Sequence, residues 1–352
     1  MAEYISFQPS DFFSPKLWTG TGAENAITGV GFQPDLVWAK QRSGTEYHEV
    51  CDAVRGATKI LYTNADSAEG TNAQTLKTFD ADGYTLGTSL GWNGNTSTYV
   101  GWNWKAGTTT GLSGGTITPS SYSINATAGI GVYAYAGTGS NGTIAHGLGA
   151  GSKFIIVKNI SDPAGYTWRC TSSRMQIDSG AYYVLYLSTT ANETNDGTAF
   201  NSTLLGDTVF NLGTSAGTNA SGSNYIAYLF SSKKGFSAFG TYKGTGDASI
   251  SPFIYTGFRP AYTMIKQSSG SGTYGWYILD SKRAGYNPDN EDLLANTTGV
   301  EDTTNNYWDL LSNGFKIKTA GGNVNTSGSI YTYAAFAEFP IVSSNDLPTV
   351  AR

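Results

Sequence analysis

Three ten-residue blocks constrain this chain more than any other feature: GFQPDLVWAK from Gly31 to Lys40, GAGSKFIIVK from Gly149 to Lys158, and GFRPAYTMIK from Gly257 to Lys266. Each reads as a turn followed by a strand ending in lysine. Repetition at this period means that one supersecondary solution is used several times, so the architecture is set before any residue is assigned chemistry.

The surrounding sequence extends the repeat. Upstream stand Trp18 to Gly22, Tyr135 to Gly139 and Tyr242 to Gly246, each an aromatic, any residue, then Gly-Thr-Gly. Val50, Trp168 and Trp276 lie ten residues beyond each block's lysine, and Cys51, Cys170 and Leu279 align after small gaps. Asp52 to Arg55 and Asp280 to Arg283 read Asp-x-x-Arg, while Arg174 has Thr171 in place of the acid. Leu61, Leu185 and Leu293 are each followed at one spacing by Asn64, Ser188 or Asn296 and by Glu69, Glu193 or Glu301. Aromatic closing strands follow at Tyr99 to Trp104, Tyr225 to Phe230 and Tyr331 to Phe336.

Short strands separated by Gly and Asn turns predict an all-β fold of three tandem β-sandwich, jelly-roll-like repeats. Three such units in one chain allow a pseudo-threefold arrangement. The 45 glycines and an aromatic content equal to the 13% of charged residues agree with strands and turns rather than helical bundles. Boundaries fall at 1–12 for an N-terminal arm, 13–106, 129–234 and 235–340 for the repeats, and 341–352 for a tail. Residues 107–128, rich in Gly, Ser and Thr, read as a linker. Repeats two and three are expected to pack tightly, with the first on a longer leash.

A net charge of −5 without a Lys or Arg cluster removes the electrostatic term that drives nucleic-acid binding. With no basic leader and no long apolar run, neither a signal peptide nor membrane insertion is expected. Cys51 and Cys170 read as core thiols, since the alignment places them opposite leucine.

The phrases FQPSDFF, TGTGAENAITGVGFQPDLVWAKQRSG, CDAVRGATKILYTN, YVGWNWKAG, HGLGAGSKFIIVKN, SPFIYTGFRPAYTMIK, LLSNGFKIK and YTYAAFAEFP together resemble a family of tandem β-repeat proteins of tailed bacteriophages, many from aquatic hosts. That resemblance covers nearly the whole chain and implies a virion, tail or fibre protein. It carries no catalytic motif.

Among individual residues, Glu69, Glu193 and Glu301 are the best acid candidates. Glycosidase carboxylates work as unlike pairs, however, and a residue repeated at one spacing is better read as a structural device, such as an ion pair with Arg55, Arg174 or Arg283. His48 and His146 are the two histidines, and neither belongs to a nucleophilic arrangement. Asp80 to Gly83 reads as turn chemistry. Asp289, Glu291 and Asp292 have the oxygen density calcium uses, without a known ligand spacing. Trp92, Tyr182, Tyr183, Tyr286 and Trp308 stand outside the repeat consensus beside Gly or Asn and are candidate receptor contacts, the alternative being core packing. Phe7, Phe12 and Phe13 are candidate virion attachment residues.

The expectation is a non-enzymatic virion surface protein, made in the host cytoplasm and oligomeric in the particle. Other virion proteins are its partners, and so is a host surface glycan or protein. A tail or fibre role in host attachment is favoured over capsid decoration or a head fibre, and both over a polysaccharide-degrading enzyme. No cofactor is expected, calcium being the one ion considered.

Overall fold

The computed structural model describes residues 7–162, 165–172, 182–203 and 205–339. It is all-β, with antiparallel pairing throughout and two four-residue helices, Leu90–Asn93 and Gly322–Asn325. A large and a small sheet form each of three units. The first large sheet runs in space Phe13–Thr19, Thr98–Trp104, Leu36–Gln41, Glu49–Asp52, Lys59–Tyr62, Gly70–Thr71. The third runs Ser237–Lys243, Ile330–Phe336, Tyr262–Ser269, Tyr277–Asp280, Leu293–Leu294. In the second, the same order appears as Ile130–Ala136, Asn224–Ser231, Ser152–Asn159, Arg169–Ser172, Tyr183–Tyr186, with Ser121–Asn125 added at one edge and Thr194–Asn195 at the other.

The lysine-terminated blocks become central strands because they are apolar on both faces. Leu36–Gln41 is buried at every position. Side chains alternate across a strand, so Leu36 and Trp38 face one way while Val37 and Ala39 face the other. The second face packs on the unit's own small sheet. The first face meets its counterparts from the other units, Phe154 and Ile156 with Tyr262 and Met264, in one shared core. Its centre is aromatic: Phe13 packs on Trp104 at 5.1 Å and on Phe336 at 5.5 Å, and Phe230 lies 5.5 Å from Phe336. Full burial of a large apolar side chain contributes about 1.5–3 kcal/mol, so this three-way contact binds the units far more strongly than tethering would. An apolar cavity of about 30 Å³ remains where the three sheets meet.

Several expectations are corrected here. The first unit is not on a leash, since Phe13, Trp38 and Trp102 belong to the shared core. Residues 107–128 do not form a free linker: Ser121–Asn125 is a strand, Thr108 bridges Ile124, Gly115 bridges Ile144, and Ile117 is buried. Cys51 and Cys170 are not equivalent. Cys51 pairs with Val37 and faces the first unit's own core, while Cys170 pairs with Ile156 and faces the shared core. Ladder register places Cys51 with Thr171 and Leu279, and Cys170 with Val50 and Ile278. One-residue gaps in the alignment hid this, because a slip of one flips a strand's faces. Both cysteines are nevertheless buried free thiols.

Candidate functional site

Charged side chains gather where units meet. At the junction of units one and two, the Asp52 carboxylate ends its strand against the shared core. Arg55 Nε donates to it at 2.6 Å, and the Tyr228 hydroxyl of unit two donates to the same oxygen at 2.8 Å. Glu69 closes the group, 3.3 Å from Arg55 and 3.2 Å from Lys59. Burial works against the Arg55 charge, yet chiefly the Asp52 carboxylate lifts its pKa above the ordinary value.

The junction of units three and one repeats this geometry with more charge. Arg283 Nε donates to Asp280 at 2.6 Å, and the Trp102 indole of unit one donates to the other unit's Asp280 at 2.9 Å. Glu301 accepts from Arg283 at 2.9 Å and from Arg42 of unit one at 2.7 Å, and Arg42 also reaches Glu291 at 3.2 Å. Here too burial opposes the Arg283 charge, and Asp280 and Glu301 restore it. At the junction of units two and three the register position of Asp52 and Asp280 is occupied by Ser172.

Backbone contacts follow the same sense around the molecule. The amide of Glu69 donates to Ile160 of unit two, that of Glu193 to Ser268 of unit three, and that of Glu301 to Arg42 of unit one. The three block lysines are fully buried and bind carbonyls: Lys158 reaches Asp66 of unit one at 2.8 Å, Lys266 reaches Thr190 of unit two at 3.0 Å, and Lys40 stays within its own loop at Gln41 and Gly44. Burial lowers all three pKa values to about 8. Trp168 and Trp276 donate to Tyr62 and Tyr186 of the preceding unit. Their structural counterpart is His48 rather than Val50, since Thr63, Leu187 and Ala295 donate to His48, Trp168 and Trp276 in turn. His48 Nδ1 accepts from Trp38 at 3.1 Å, and burial holds its pKa well below the ordinary value.

The remaining candidates divide. Trp92 and Trp308 are fully buried, their indoles bound to Glu49 and Thr263, so neither is a surface contact. Tyr183 is half-buried against the shared core and Tyr182 half-buried in the preceding loop, whereas Tyr286 is 74% exposed. Phe13 is fully buried in a strand, which overturns an attachment role, and Phe7 and Phe12 pack edge-on against Phe236. Ala81 and Asp82 form the turn between Asp80 and Gly83, as expected, and Asp82 also accepts from the distant Gly29 and Gly31 amides. His146 is buried and turned to the Gly206 carbonyl. Arg174 and the tail 341–352 lie outside the described residues.

Asp289 and Asp292 are buried, each with an oxygen that has no hydrogen-bond partner, and Glu291 is paired to Arg42. Burial, with Asp280 nearby, pushes Asp289 up to about 8, and burial with Asp302 nearby pushes Asp292 to about 7. Among the described residues no group of three or more His, Cys, Asp or Glu side chains is placed to hold a metal ion. None of the described helices is long and apolar enough to cross a membrane.

Sequence reading missed Asn93, Asn219 and Asn325. Each is fully buried, and each accepts the amide of the Thr in Gly-Thr-Gly at 2.8 Å. Their signal was an Asn six residues before each closing tyrosine, whose hydroxyl accepts the amide of Gly94, Ala220 or Thr326 just after that Asn.

Fold and seams together define an antiparallel, sandwich-like protein whose buried charges join sheet units. Residues 8–340 match the family described as a domain of unknown function (DUF7483), and the chain belongs to that family. No curated protein and no solved structure matches it.

Proposed function

We propose that this chain is a non-enzymatic structural protein of a bacteriophage virion surface, a tail or fibre component that takes part in host attachment. Its finer architecture in this reading is three copies of one sandwich about a pseudo-threefold axis. The observation that carries it is the cyclic set of backbone bonds, Glu69 to Ile160, Glu193 to Ser268 and Glu301 to Arg42, with the carboxylates of Glu69 and Glu301 taken up by arginines at the seams. Carboxylates held in this way lock a rigid body, which is what a load-carrying particle component requires. Three units that share one core in a single chain supply what a homotrimer supplies by symmetry.

The proposal invokes no cofactor. Its partners are other virion proteins and a host surface glycan or protein, for which the exposed Tyr286 loop is an available contact. Antibody fragments raised against residues 284–290 and viewed on intact particles by electron microscopy test it. Label at the tail tip is expected. Label spread over the head would replace attachment with capsid decoration, and particles without label would overturn virion membership.

A further inference from the structure

In the small sheet of unit three, Phe253–Tyr255 is an edge strand whose outer side pairs with no other strand among the described residues. Ile254 points into the unit's core, leaving Phe253 and Tyr255 46% and 68% exposed. Ile317 donates to Pro252 and Thr256 to Asn313. Antiparallel pairs alternate between bonded and non-bonded, so the N–H and C=O groups of Phe253 and Tyr255 point away from the sheet.

The same edge in unit two is covered. Its strand Gly142–Ala145 is placed identically, with Ile144 opposite Phe210 as Ile254 is opposite Phe315. There the chain's own segment lies alongside: the Thr116 and Ile117 amides donate to the Thr143 carbonyl at 2.9 Å, and the Thr143 amide donates to Thr116 Oγ1 at 2.9 Å. In unit one the corresponding positions are the small Ala26 and Thr28, beside the Glu24–Lys77 pair, which is how an edge is kept unattractive to other strands. Unit three instead presents aromatic side chains together with free backbone groups.

We propose that this edge docks an extended segment of a different polypeptide by strand addition, with glycine followed by hydroxyl-bearing and β-branched residues like those of 114–118. Main-chain bonds to Phe253 and Tyr255 supply the attachment, and their rings pack on β-branched side chains of the guest. Gly142 leaves room for Ile117, since a Cβ there would come within 2.6 Å of it. Pro252 fills the matching place, so the guest lies over Phe253 and Tyr255. The inference concerns the edge alone and does not depend on the virion reading.

The probe is a synthetic GLSGGTITPS peptide, titrated into the full chain by fluorescence anisotropy with amide hydrogen exchange followed in parallel. Binding with slowed exchange at Phe253 and Tyr255 is expected, and Tyr255→Pro should weaken it tenfold or more. That amide faces away from the sheet, so proline is tolerated there. Tyr255→Lys, which keeps the amide but charges the edge, should weaken binding in the same direction. Affinity unchanged from the parent in both variants, absent protection at these two amides, or no binding up to millimolar peptide would overturn the proposal. Self-association of the chain alone that Tyr255→Pro abolishes would overturn the choice of partner in favour of a second copy.

Discussion

The seam between units one and two and the seam between units three and one use one geometry with different chemistry. Both place an aspartate at the end of a strand, an arginine three residues on, and a donor from the neighbouring unit: Tyr228 for Asp52, Trp102 for Asp280. At the position of Tyr228 and Trp102 unit three has Ala334, and at the position of the two aspartates unit two has Ser172. Acid and donor are thus present together or absent together. A buried carboxylate without its partners costs several kcal/mol, so the pair is exchanged as a unit.

The seams also differ in how much charge they hold. Glu69 is 16% exposed and is held by Arg55 and the half-exposed Lys59, whereas Glu301 is 8% exposed and is held by Arg283 and Arg42. Arg283→Met should therefore cost the most in a urea titration, about 3–5 kcal/mol, because it strips the fully buried Asp280 of its cation and leaves Glu301 to Arg42 alone. Arg55→Met should cost less in the same urea titration, since Lys59 and solvent still serve Glu69. Equal losses would break the distinction between the seams.

A smaller effect separates the seams by pH. Asp289 belongs to the richer seam and faces Asp280, Arg283 and Glu291. Its folded pKa of about 8 lies above the ordinary 3.8, so its contribution is fully present below about pH 4 and is lost as pH rises towards 8. Asp289→Asn removes that loss. Its stability should match the parent near pH 4 and exceed it near pH 8. Thermal unfolding at the two pH values decides it, and a constant difference would show that Asp289 is not the titrating group.

Much of the fold was legible because repeated strands carry a strong pattern. The lysine blocks, the closing aromatics and the leucine-to-glutamate spacing all fall where ladders and seams need them, and Leu61, Leu185 and Leu293 do pair with equivalent partners. Register was less legible: a one-residue slip put Cys170 beside Cys51 and a two-residue slip put Val50 beside the tryptophans in place of His48, since spacing alone does not fix the pairing. Function-bearing surfaces were least legible. Trp92 and Trp308 looked like loop aromatics but are core, and Tyr255, which no sequence pattern singled out, is exposed. Seam partners such as Trp102 and Tyr228 act across 178 and 176 residues of sequence, a separation that no local pattern reports.

The finest test of the paired exchange is Tyr228→Phe. It removes one hydroxyl and leaves the ring stacked on Trp168 at 6.4 Å, so packing is retained. Asp52 Oδ2 keeps its bond from Arg55 and does not become fully unpaired. The loss should be about 1.5 kcal/mol, the low end for a hydrogen bond to a charged group, because Arg55 still serves the carboxylate. Asp52→Asn should cost more, because Arg55 then loses its buried counter-charge. If acid and donor form one unit, Asp52→Asn with Tyr228→Phe should cost less than the sum of the two by about 1 kcal/mol in a double-mutant cycle. Strict additivity would mean that the aspartate needs only its arginine. The coincidence of Ser172 with Ala334 would then have no energetic cause in the seam.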